Sequence, residues 1–270
     1  MKVKDVLLNM TVFSKYLNRF RNTRIAYIQY RQNKVLLSRI KHLKGSHKGE
    51  RCFIIGTGPS LTVEDLNLLK NEITFATNRI YEVFDKTDWR PTYYVNQDHT
   101  LIRTFTNEIK SVAATYKFVP IDYKDIFEGP EYYFYVLKHK EFYPNPAPFS
   151  SEIHKYLAQG FSVTYGAIQI ALYMGFKEIY LLGIDHNYNV TRDATGKPVR
   201  AKASVQNYSK AISNYMDMNN LPRIEETTIA YETAEQISRK LGVRIFNATR
   251  GGKLEAFERV DFDKIVNRSL

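Results

Sequence analysis

Residues 53–61 read Phe-Ile-Ile-Gly-Thr-Gly-Pro-Ser-Leu, an apolar run that stops at two glycines, a proline and a serine. A short apolar run of this kind is typical of a buried parallel strand. The residues that follow repeat leucine at helical spacing, and Thr62 and Asp65 have the spacing of a capping box. The stretch therefore predicts a strand, a tight turn and a helix. The N–H groups of such a turn either hold a phosphate or only close the turn, and the stretch alone leaves both open.

The same alternation continues through most of the chain. Short β-rich runs predict strands, and the segments between them have helical periodicity. Strand and helix repeated in this way favour an α/β, Rossmann-like fold with a mostly parallel sheet flanked by helices. Beyond the first strand at 51–58, strands are predicted at 72–78, 92–98, 116–122, 132–137, 178–188 and, as the last strand, 243–252, and helices at 60–71, 80–86, 101–113, 164–175 and 224–242.

The positive charge of the chain is confined to its N-terminal segment. Twelve of the 39 Lys and Arg, but only one of the 28 Asp and Glu, lie in residues 1–49, so the remaining 27 of each sign cancel. This division predicts a basic helical arm (1–48), a Rossmann-like body (49–255) and a C-terminal tail (256–270). Within the body, 186–222 is polar, irregular and too long for an ordinary connection, which predicts a lid-like insertion.

Apolar and aromatic side chains alternate with cations in the arm at spacings of three and four, which predicts one or two amphipathic helices. Such a helix meets an anionic membrane surface, here through residues 1–44, or packs on its own body, or joins a second copy in a homo-oligomer. The sequence does not decide between the membrane surface, the body of the same chain and a second copy. A nucleic-acid partner is not predicted, because the neutral body lacks the basic aromatic surface that RNA readers need.

Composition excludes several classes of site and of protein. With 44% hydrophobic residues the chain can bury a full core, and its single cysteine, Cys52, excludes an internal disulfide and any CxxC metal site. No apolar run is long enough for a membrane span, and polar residues interrupt the N-terminal apolar residues too early for a signal peptide. We therefore expect a cytoplasmic protein, held at the inner face of the cell membrane if the arm binds lipid.

Polar side chains follow each predicted strand. Because parallel sheets bind ligands at the carboxyl ends of their strands, we expect these residues along one rim. The rim is rich in amides and poor in acids, which suits the edge of a neutral base or a sugar better than a metal ion. It comprises Gly56, Thr57, Gly58 and Ser60, followed by Asn78, Asn96, Gln97, Asp98, Asp122, Gly183, Asp185, His186 and Arg250.

The first loop is neither a dinucleotide fingerprint nor a P-loop. A GxGxxG motif needs glycine where this chain has Leu61, and Asn78 replaces the acid expected at the end of the second strand. No GK[ST] follows the glycines either. Beside Asn78, Asn96 and Asp185, the loop predicts a different nucleotide pocket, with a phosphate at the helix N-terminus.

Four stretches resemble a bacterial family of glycosyltransferase-like proteins: "IIGTGPSL" (54–61), "FATNRIY" (75–81), "YYVNQDH" (93–99) and "YMGFKEIYLLGIDHNY" (173–188). That family is related to the lipooligosaccharide sialyltransferases of glycosyltransferase family forty-two, and the archaeal hydroxymethylpterin pyrophosphokinases share the broader domain. The resemblance covers roughly residues 50–255. It implies a variant of the GT-A-like nucleotide domain that holds a CMP-sugar donor as substrate, with no metal ion and no cofactor.

The resemblance also implies a set of donor contacts. Phosphate and ribose contacts of the family fall here on the loop of Gly56, at Thr57, Gly58 and Ser60. Base and ribose contacts fall on Asn78, Asn96, Gly183 and Asp185, with a further hydroxyl contact at Thr164.

This chain departs from the sialyltransferases where their catalytic histidine is expected. That position falls near Glu225, and no histidine follows His186. Thr57 also replaces an Asn of the family, and His186-Asn187 replaces an aromatic pair. The resemblance therefore extends to the donor pocket of the family more fully than to its catalytic residues.

Transfer of an activated sugar needs a base for the acceptor hydroxyl and groups that offset charge on the leaving phosphate. His186 and Glu225 are the candidate bases, because one ends the clearest predicted strand and the other occupies the family's slot. Candidate groups for the anionic leaving group or the acceptor are Tyr188, Tyr208, Arg250 and Lys253.

The expected function is therefore an inverting, metal-independent glycosyltransferase that joins a CMP-sugar, of the sialic acid type, to a glycan acceptor in cell-surface polysaccharide or lipooligosaccharide synthesis. Two alternatives stay open. One is a Mg²⁺-dependent pyrophosphokinase of the hydroxymethylpterin type, and the other is a non-catalytic nucleotide-binding module.

Overall fold

A computed structural model describes residues 17, 20–188, 190–192, 198–200 and 222–267. Within these residues the core is an eight-stranded sheet in which every neighbouring pair is parallel. Its order is β12-β11-β8-β1-β2-β3-β4-β5, while β6 pairs with β7 and β9 with β10 outside it. The strands are β1 Arg51–Ile55, β2 Thr74–Thr77, β3 Tyr93–Val95, β4 Tyr116–Pro120, β5 Tyr132–Tyr135, β6 Leu137–Lys138, β7 Leu157–Ala158, β8 Glu178–Leu182, β9 Val190–Arg192, β10 Pro198–Arg200, β11 Arg244–Asn247 and β12 Glu258–Arg259.

Helices cover both faces of this sheet. The α-helices are α1 (20–32), α2 Lys34–Ser38, α3 Val63–Leu68, α4 His99–Thr104, α5 Thr106–Ser111, α6 Val163–Met174, α7 Ile224–Lys240 and α8 Phe262–Val266. Short 3-10 turns lie at Arg39–Leu43, Ile80–Val83 and Ile121–Tyr123. The predicted α/β fold with a mostly parallel sheet is confirmed.

Two local predictions are wrong. The strand predicted at 243–252 is not the last, because β12 lies within the predicted tail and pairs in parallel with β11. The helix predicted over 101–113 divides into α4 and α5 at Phe105, whose ψ of 37° interrupts the helix.

The order of the strands reverses between β1 and β8. Strands β2 to β5 extend from β1 in one direction, whereas β11 and β12 extend from β8 in the other. Adjacent loops that leave for opposite faces open a crevice at such a switch point, and this is where α/β sheets bind ligands. The register joins Ile55 to Leu182, so the loops that begin with Gly56 and Gly183 leave the sheet side by side.

Each sheet face has its own buried cluster. Alternate residues of β1 face opposite sides, with Cys52 and Ile54 in one cluster and Phe53 and Ile55 in the other. Helix α6 is buried along nearly its whole length, begins at the N-cap Ser162 and ends at left-handed Gly175. Its N-terminus lies at the carboxyl edge of the sheet, near the switch point.

The N-terminal arm lies on the body. Leu37 and Ile40 are fully buried, and Arg39 donates hydrogen bonds to the carbonyl oxygens of Pro130 and Tyr132 beside the edge strand β5. The arm therefore covers a sheet edge that would otherwise present unpaired backbone groups. Across the described ranges, no helix combines the length and the apolar character needed to cross a bilayer. Most of the predicted lid, 189–221 apart from the backbone of β9 and β10, lies outside the described residues.

Candidate active site

Close approach of two loops explains the glycines of the first turn. The Gly58 N–H donates to the carbonyl oxygen of Gly183 at 2.9 Å, and the Gly56 N–H donates to that of Leu182 at 2.9 Å. A Cβ on Gly58 would lie 1.9 Å from Asp185 Oδ2, and one on Gly56 would lie 2.4 Å from Ile184 Cδ1. Glycine is required here because no side chain fits between the loops.

The Asp185 side chain contacts the loop that was predicted to hold phosphate. The Ser60 hydroxyl donates to its Oδ2 at 2.8 Å, and the Ser60 N–H lies 3.4 Å from the same oxygen. Burial raises the pKa of the Asp185 carboxyl, and the two hydrogen bonds from Ser60 oppose that rise. Ser60 is thus engaged with a carboxylate, which repels a phosphate and accepts a hydrogen bond from a hydroxyl.

His186 is held in a buried, neutral form. Its Nε2 lies 2.8 Å from Thr228 Oγ1, and that hydroxyl donates its one proton to the Ile224 carbonyl oxygen at 2.8 Å. Thr228 must therefore accept from an Nε2–H, which leaves the lone pair of the imidazole on Nδ1. Within the described residues Nδ1 is buried and has no hydrogen-bond partner. Burial also lowers the pKa of His186, so the ring stays neutral and can accept a proton.

The backbone of His186 is strained. Its φ of 48° lies in the left-handed region that side chains other than glycine rarely adopt. The neighbouring backbone is fixed by the Lys253 N–H, which donates to the Asp185 carbonyl oxygen at 2.7 Å, while Gly252 lies too close to Asp185 for a Cβ. Strain of this kind persists where surrounding contacts fix it, and it clusters at functional sites.

Aromatic rings connect His186 to the start of α6. The rings of Tyr188 and Tyr231 contact the imidazole edge-on, with centroids 5.8 and 5.6 Å away. The Tyr231 hydroxyl lies 2.8 Å from Ser162 Oγ, which caps the Thr164 N–H at 3.2 Å. The structure therefore brings Thr164 and Tyr188 into the same neighbourhood as His186. Burial raises the pKa of both tyrosine hydroxyls, so they remain hydrogen-bond donors.

The two predicted asparagines differ in the hydrogen bonds of their side-chain amides. Asn96 is 1% exposed, donates to the Tyr94 hydroxyl at 3.1 Å and accepts from the Asp98 N–H at 3.1 Å, so its amide is used within the fold. Asn78 has a left-handed φ of 51°, and its Oδ1 is buried without a partner in the described part of the chain. Asn78 Oδ1 is therefore a buried acceptor at the end of β2 that the described residues leave unsatisfied.

Gln97 is a candidate that sequence reasoning placed on the rim but did not select. Its Oε1 is buried and unpartnered within the described residues, and a Cβ on Gly166 would lie 3.0 Å from it. It therefore points toward the first turn of α6. Its position at the end of β3 could have indicated it, but Asn96 has the same position, so the sequence does not distinguish the two.

Arg250 pairs with two carboxylates of the fold. Its Nη1 lies 2.6 and 2.7 Å from the two carboxylate oxygens of buried Asp65, and its Nη2 lies 3.0 Å from Asp263. Two carboxylates already pair with this guanidinium, and its predicted role in binding an anion stays a prediction. Lys253 is exposed beside the Asp185 loop.

The second candidate base is less buried than the first. Glu225 lies exposed in the first turn of α7, one turn before Thr228. Tyr208 lies outside the described residues. Among the residues that the structure describes, no three His, Cys, Asp or Glu side chains group closely enough to hold a metal ion.

Residues 26–191 match the family model described as 6-hydroxymethylpterin diphosphokinase MptE-like. This chain belongs to the MptE-like family. The match includes both switch-point loops, and it confirms the broader of the two relationships inferred from the four motifs. The link to the sialyltransferases of family forty-two is not confirmed.

A solved structure shares the fold. The MAf glycosyltransferase from Magnetospirillum magneticum AMB-1 superposes with a TM-score of 0.51 and 16% sequence identity over 84% of this chain. This chain spans only 38% of that protein's length, and an identity this low shows the fold alone. No functionally curated protein matches the chain.

Proposed function

We propose that this protein is an inverting glycosyltransferase that transfers a sugar from a CMP-activated donor to a hydroxyl acceptor, without a metal ion. The observation that carries the proposal is the buried, neutral His186, which follows β8 at the switch point and whose Nδ1 lone pair has no hydrogen-bond partner among the described residues. Such an imidazole is suited to take a proton from an acceptor hydroxyl near neutral pH. The sialic acid type of donor sugar and a glycan acceptor in surface polysaccharide synthesis are parts of the same proposal.

The charge of the crevice supports a donor with few phosphates. Asp185 faces the Ser60 N–H and hydroxyl at the first loop, where a nucleotide phosphate would approach. A carboxylate there repels a triphosphate more strongly than the single phosphodiester of a CMP-sugar. The same carboxylate can accept hydrogen bonds from ribose hydroxyls, as the resemblance implies for this position.

Hydrogen-bond polarity supports a ligand rich in donors. Arg79 Nε, next to Asn78, is a buried donor without a partner among the described residues. Asn78 Oδ1, Gln97 Oε1 and His186 Nδ1 are three acceptors in the same state, and all three follow strands at the carboxyl edge. An exocyclic amine of a base and the hydroxyls of a sugar would satisfy them. Thr57, Gly183 and Thr164 complete the proposed donor pocket.

The proposed reaction needs one proton transfer and one displacement. The acceptor oxygen attacks the anomeric carbon while its proton passes to His186 Nδ1, and the bond from that carbon to the phosphate oxygen breaks with its electron pair on CMP. Tyr188, whose raised pKa keeps its hydroxyl protonated, and exposed Lys253 are the nearby donors proposed to offset the leaving charge.

Calorimetry separates this donor from its alternatives. The full chain is titrated with CMP, and with ATP in the presence and absence of Mg²⁺. CMP binding that is independent of Mg²⁺ supports the proposal, whereas Mg²⁺-dependent ATP binding with no response to CMP overturns it.

Hydrolysis of a CMP-sugar tests the base. We expect His186→Ala to lower the rate by about 100-fold or more, with His42→Ala, a change of an exposed histidine in the arm, as the matched control. Glu225→Gln tests the second candidate base. Unchanged hydrolysis in both the His186 and Glu225 variants would show that neither residue is the base.

The family match favours a second candidate, a diphosphokinase that acts on a hydroxymethylpterin. Its hydroxyl substrate would also need a base, and a pterin ring is also rich in hydrogen-bond donors. The strand-end carboxylates are used otherwise, since Asp98 caps α4, Asp122 accepts from Gln29 and Asp185 accepts from Ser60. The Mg²⁺-dependent ATP titration distinguishes this candidate from the first.

A further inference from the structure

One face of α1, continued by the first turn of α2, is apolar and basic and faces solvent. Phe20 is 71% exposed and Val35 is 83% exposed, although aromatic and aliphatic side chains of this size are usually buried. Residues three and four apart on a helix share a face, and the exposed apolar side chains recur at these spacings with arginines between them. We call this set the outer face: Leu17, Phe20, Arg21, Arg24, Ile25, Tyr27, Ile28, Arg31 and Val35.

The opposite face of the same helix is fixed to the body. Ala26 is buried, and Tyr30 packs against the core on that side of the sheet. Gln29 Nε2 donates to Asp122 Oδ1 at 2.9 Å, which joins the helix to the turn after β4. The helix is therefore held in place by one side, and the outer face stays exposed without any loss of packing against the body.

Every charged side chain of the outer face is positive. Residues 6–49 contain no Asp or Glu. Two later cations of the arm contact the body, since Arg39 binds backbone carbonyls and Lys44 lies 2.9 Å from Glu152. Among the described residues, no carboxylate pairs with Arg21, Arg24 or Arg31.

We propose that the outer face binds the surface of an anionic lipid bilayer. Apolar side chains flanked by unpaired arginines match the boundary between acyl chains and anionic headgroups, and the charge of the arm is complementary to it. The inference does not rest on the identity of the donor.

The arm meets the body at the edge of the sheet that also holds the crevice. Gln29 meets Asp122 at the carboxyl edge, the edge of the Gly56 and Gly183 loops. Four strand spacings, about 19 Å, separate β4 from β8, the strand that His186 follows.

Vesicle flotation of the full chain tests the proposal. Vesicles of phosphatidylglycerol and phosphatidylcholine are compared with vesicles of phosphatidylcholine alone. We expect binding only to the anionic vesicles, and a loss on the order of 100-fold in partitioning when Arg21, Arg24 and Arg31 are all replaced by Ala. The matched control replaces the exposed Lys110, Lys155 and Lys240 by Ala, which removes the same charge elsewhere.

A second pair of variants tests the apolar contribution. Replacing Phe20, Ile28 and Val35 by Ser is expected to weaken flotation at least 10-fold, whereas the same change at exposed Leu68, Ile126 and Leu241 leaves it unchanged. Circular dichroism and thermal melts check that each variant folds. Equal binding to both vesicle types, no binding to either, or full binding by the triple Arg variant would overturn the proposal. Light scattering measures the oligomeric state. If the native protein is a dimer that the Ser variant breaks, and it does not bind vesicles, the outer face binds a second copy instead.

Discussion

Thr228 Oγ1 lies 2.8 Å from His186 Nε2 and donates its own proton to the Ile224 carbonyl oxygen. One hydroxyl has one proton, so its two contacts fix which nitrogen of His186 carries hydrogen. The helix α7 thereby sets the chemical form of a residue that follows β8. If His186 is the base, Thr228 is a positioning residue that acts through it.

The Thr228→Val variant is expected to lower kcat/KM by about 10-fold, because the acceptor for Nε2–H is lost while the volume is kept. Activity of the native protein is expected to fall as the pH falls through the pKa of His186, which burial places below the usual value of 6.5. Steady-state rates from pH 5 to 8 measure both. Thr228→Ser keeps the hydroxyl and should restore the native profile; a Val variant with native rates and an unaltered profile would contradict the positioning role.

The Asp185→Asn variant is expected to be more stable than the native protein at neutral pH, by roughly 2 °C in Tm. Burial raises the folded-state pKa of Asp185, so its contribution to stability is full below its ordinary value of 3.8 and is lost as the pH rises through the folded value. Melting curves from pH 3 to 7 should show a stability difference that grows with pH. Weaker CMP binding should accompany this gain, and a variant that loses stability at pH 7 would contradict the sign.

The Gly58→Ala variant is expected to lose about 3 kcal/mol of unfolding free energy, because its Cβ would lie 2.6 Å from the Gly183 carbonyl oxygen. Gly45→Ala is the control, since Gly45 has a φ of +70° but open space around it. Its expected cost is about 1 kcal/mol, from backbone strain alone. Urea denaturation measures both, and equal costs would show that the two loops can separate easily.

The Arg250→Ala variant is expected to lose about 2 kcal/mol of unfolding free energy, because buried Asp65 would lose its cation. Asp263→Ala removes the exposed partner of the same guanidinium and should cost about 0.5 kcal/mol. Urea denaturation gives both values. If Arg250→Ala keeps its stability but no longer binds CMP, the residue binds an anion as the sequence first predicted.

Much of the fold follows from local pattern. The apolar run that ends at Gly56, the capping box of Thr62 and Asp65, and a helix over 164–175 were all predicted from sequence, and the structure contains each of them, the helix as α6 Val163–Met174. These features depend on residues a few positions apart, whose periodicity and backbone preferences are visible in sequence. The strand β12 was missed because two residues give no periodic signal.

The candidate site was predictable only as a set of residue positions. A parallel sheet brings its carboxyl ends to one edge, so Asn78, Asn96 and Asp185 could be placed on a common rim. Their hydrogen-bond states could not, because each state depends on a partner supplied by another element. Asn96 and Asn78 both end strands, but the amide of Asn96 is hydrogen-bonded, whereas the Oδ1 of Asn78 has no partner within the described ranges.

The sequence by itself determined the alternating α/β fold, the basic arm on a neutral body and the polar rim. The tertiary structure decided which of those polar groups are hydrogen-bonded within the fold. Ser60 meets Asp185 across 125 residues and Arg250 meets Asp65 across 185 residues. Thr228 binds His186 Nε2, and Nδ1 has no partner in the part of the chain that the structure describes. Hydrogen bonds between residues so far apart form only when packing joins their elements, and no local pattern encodes them.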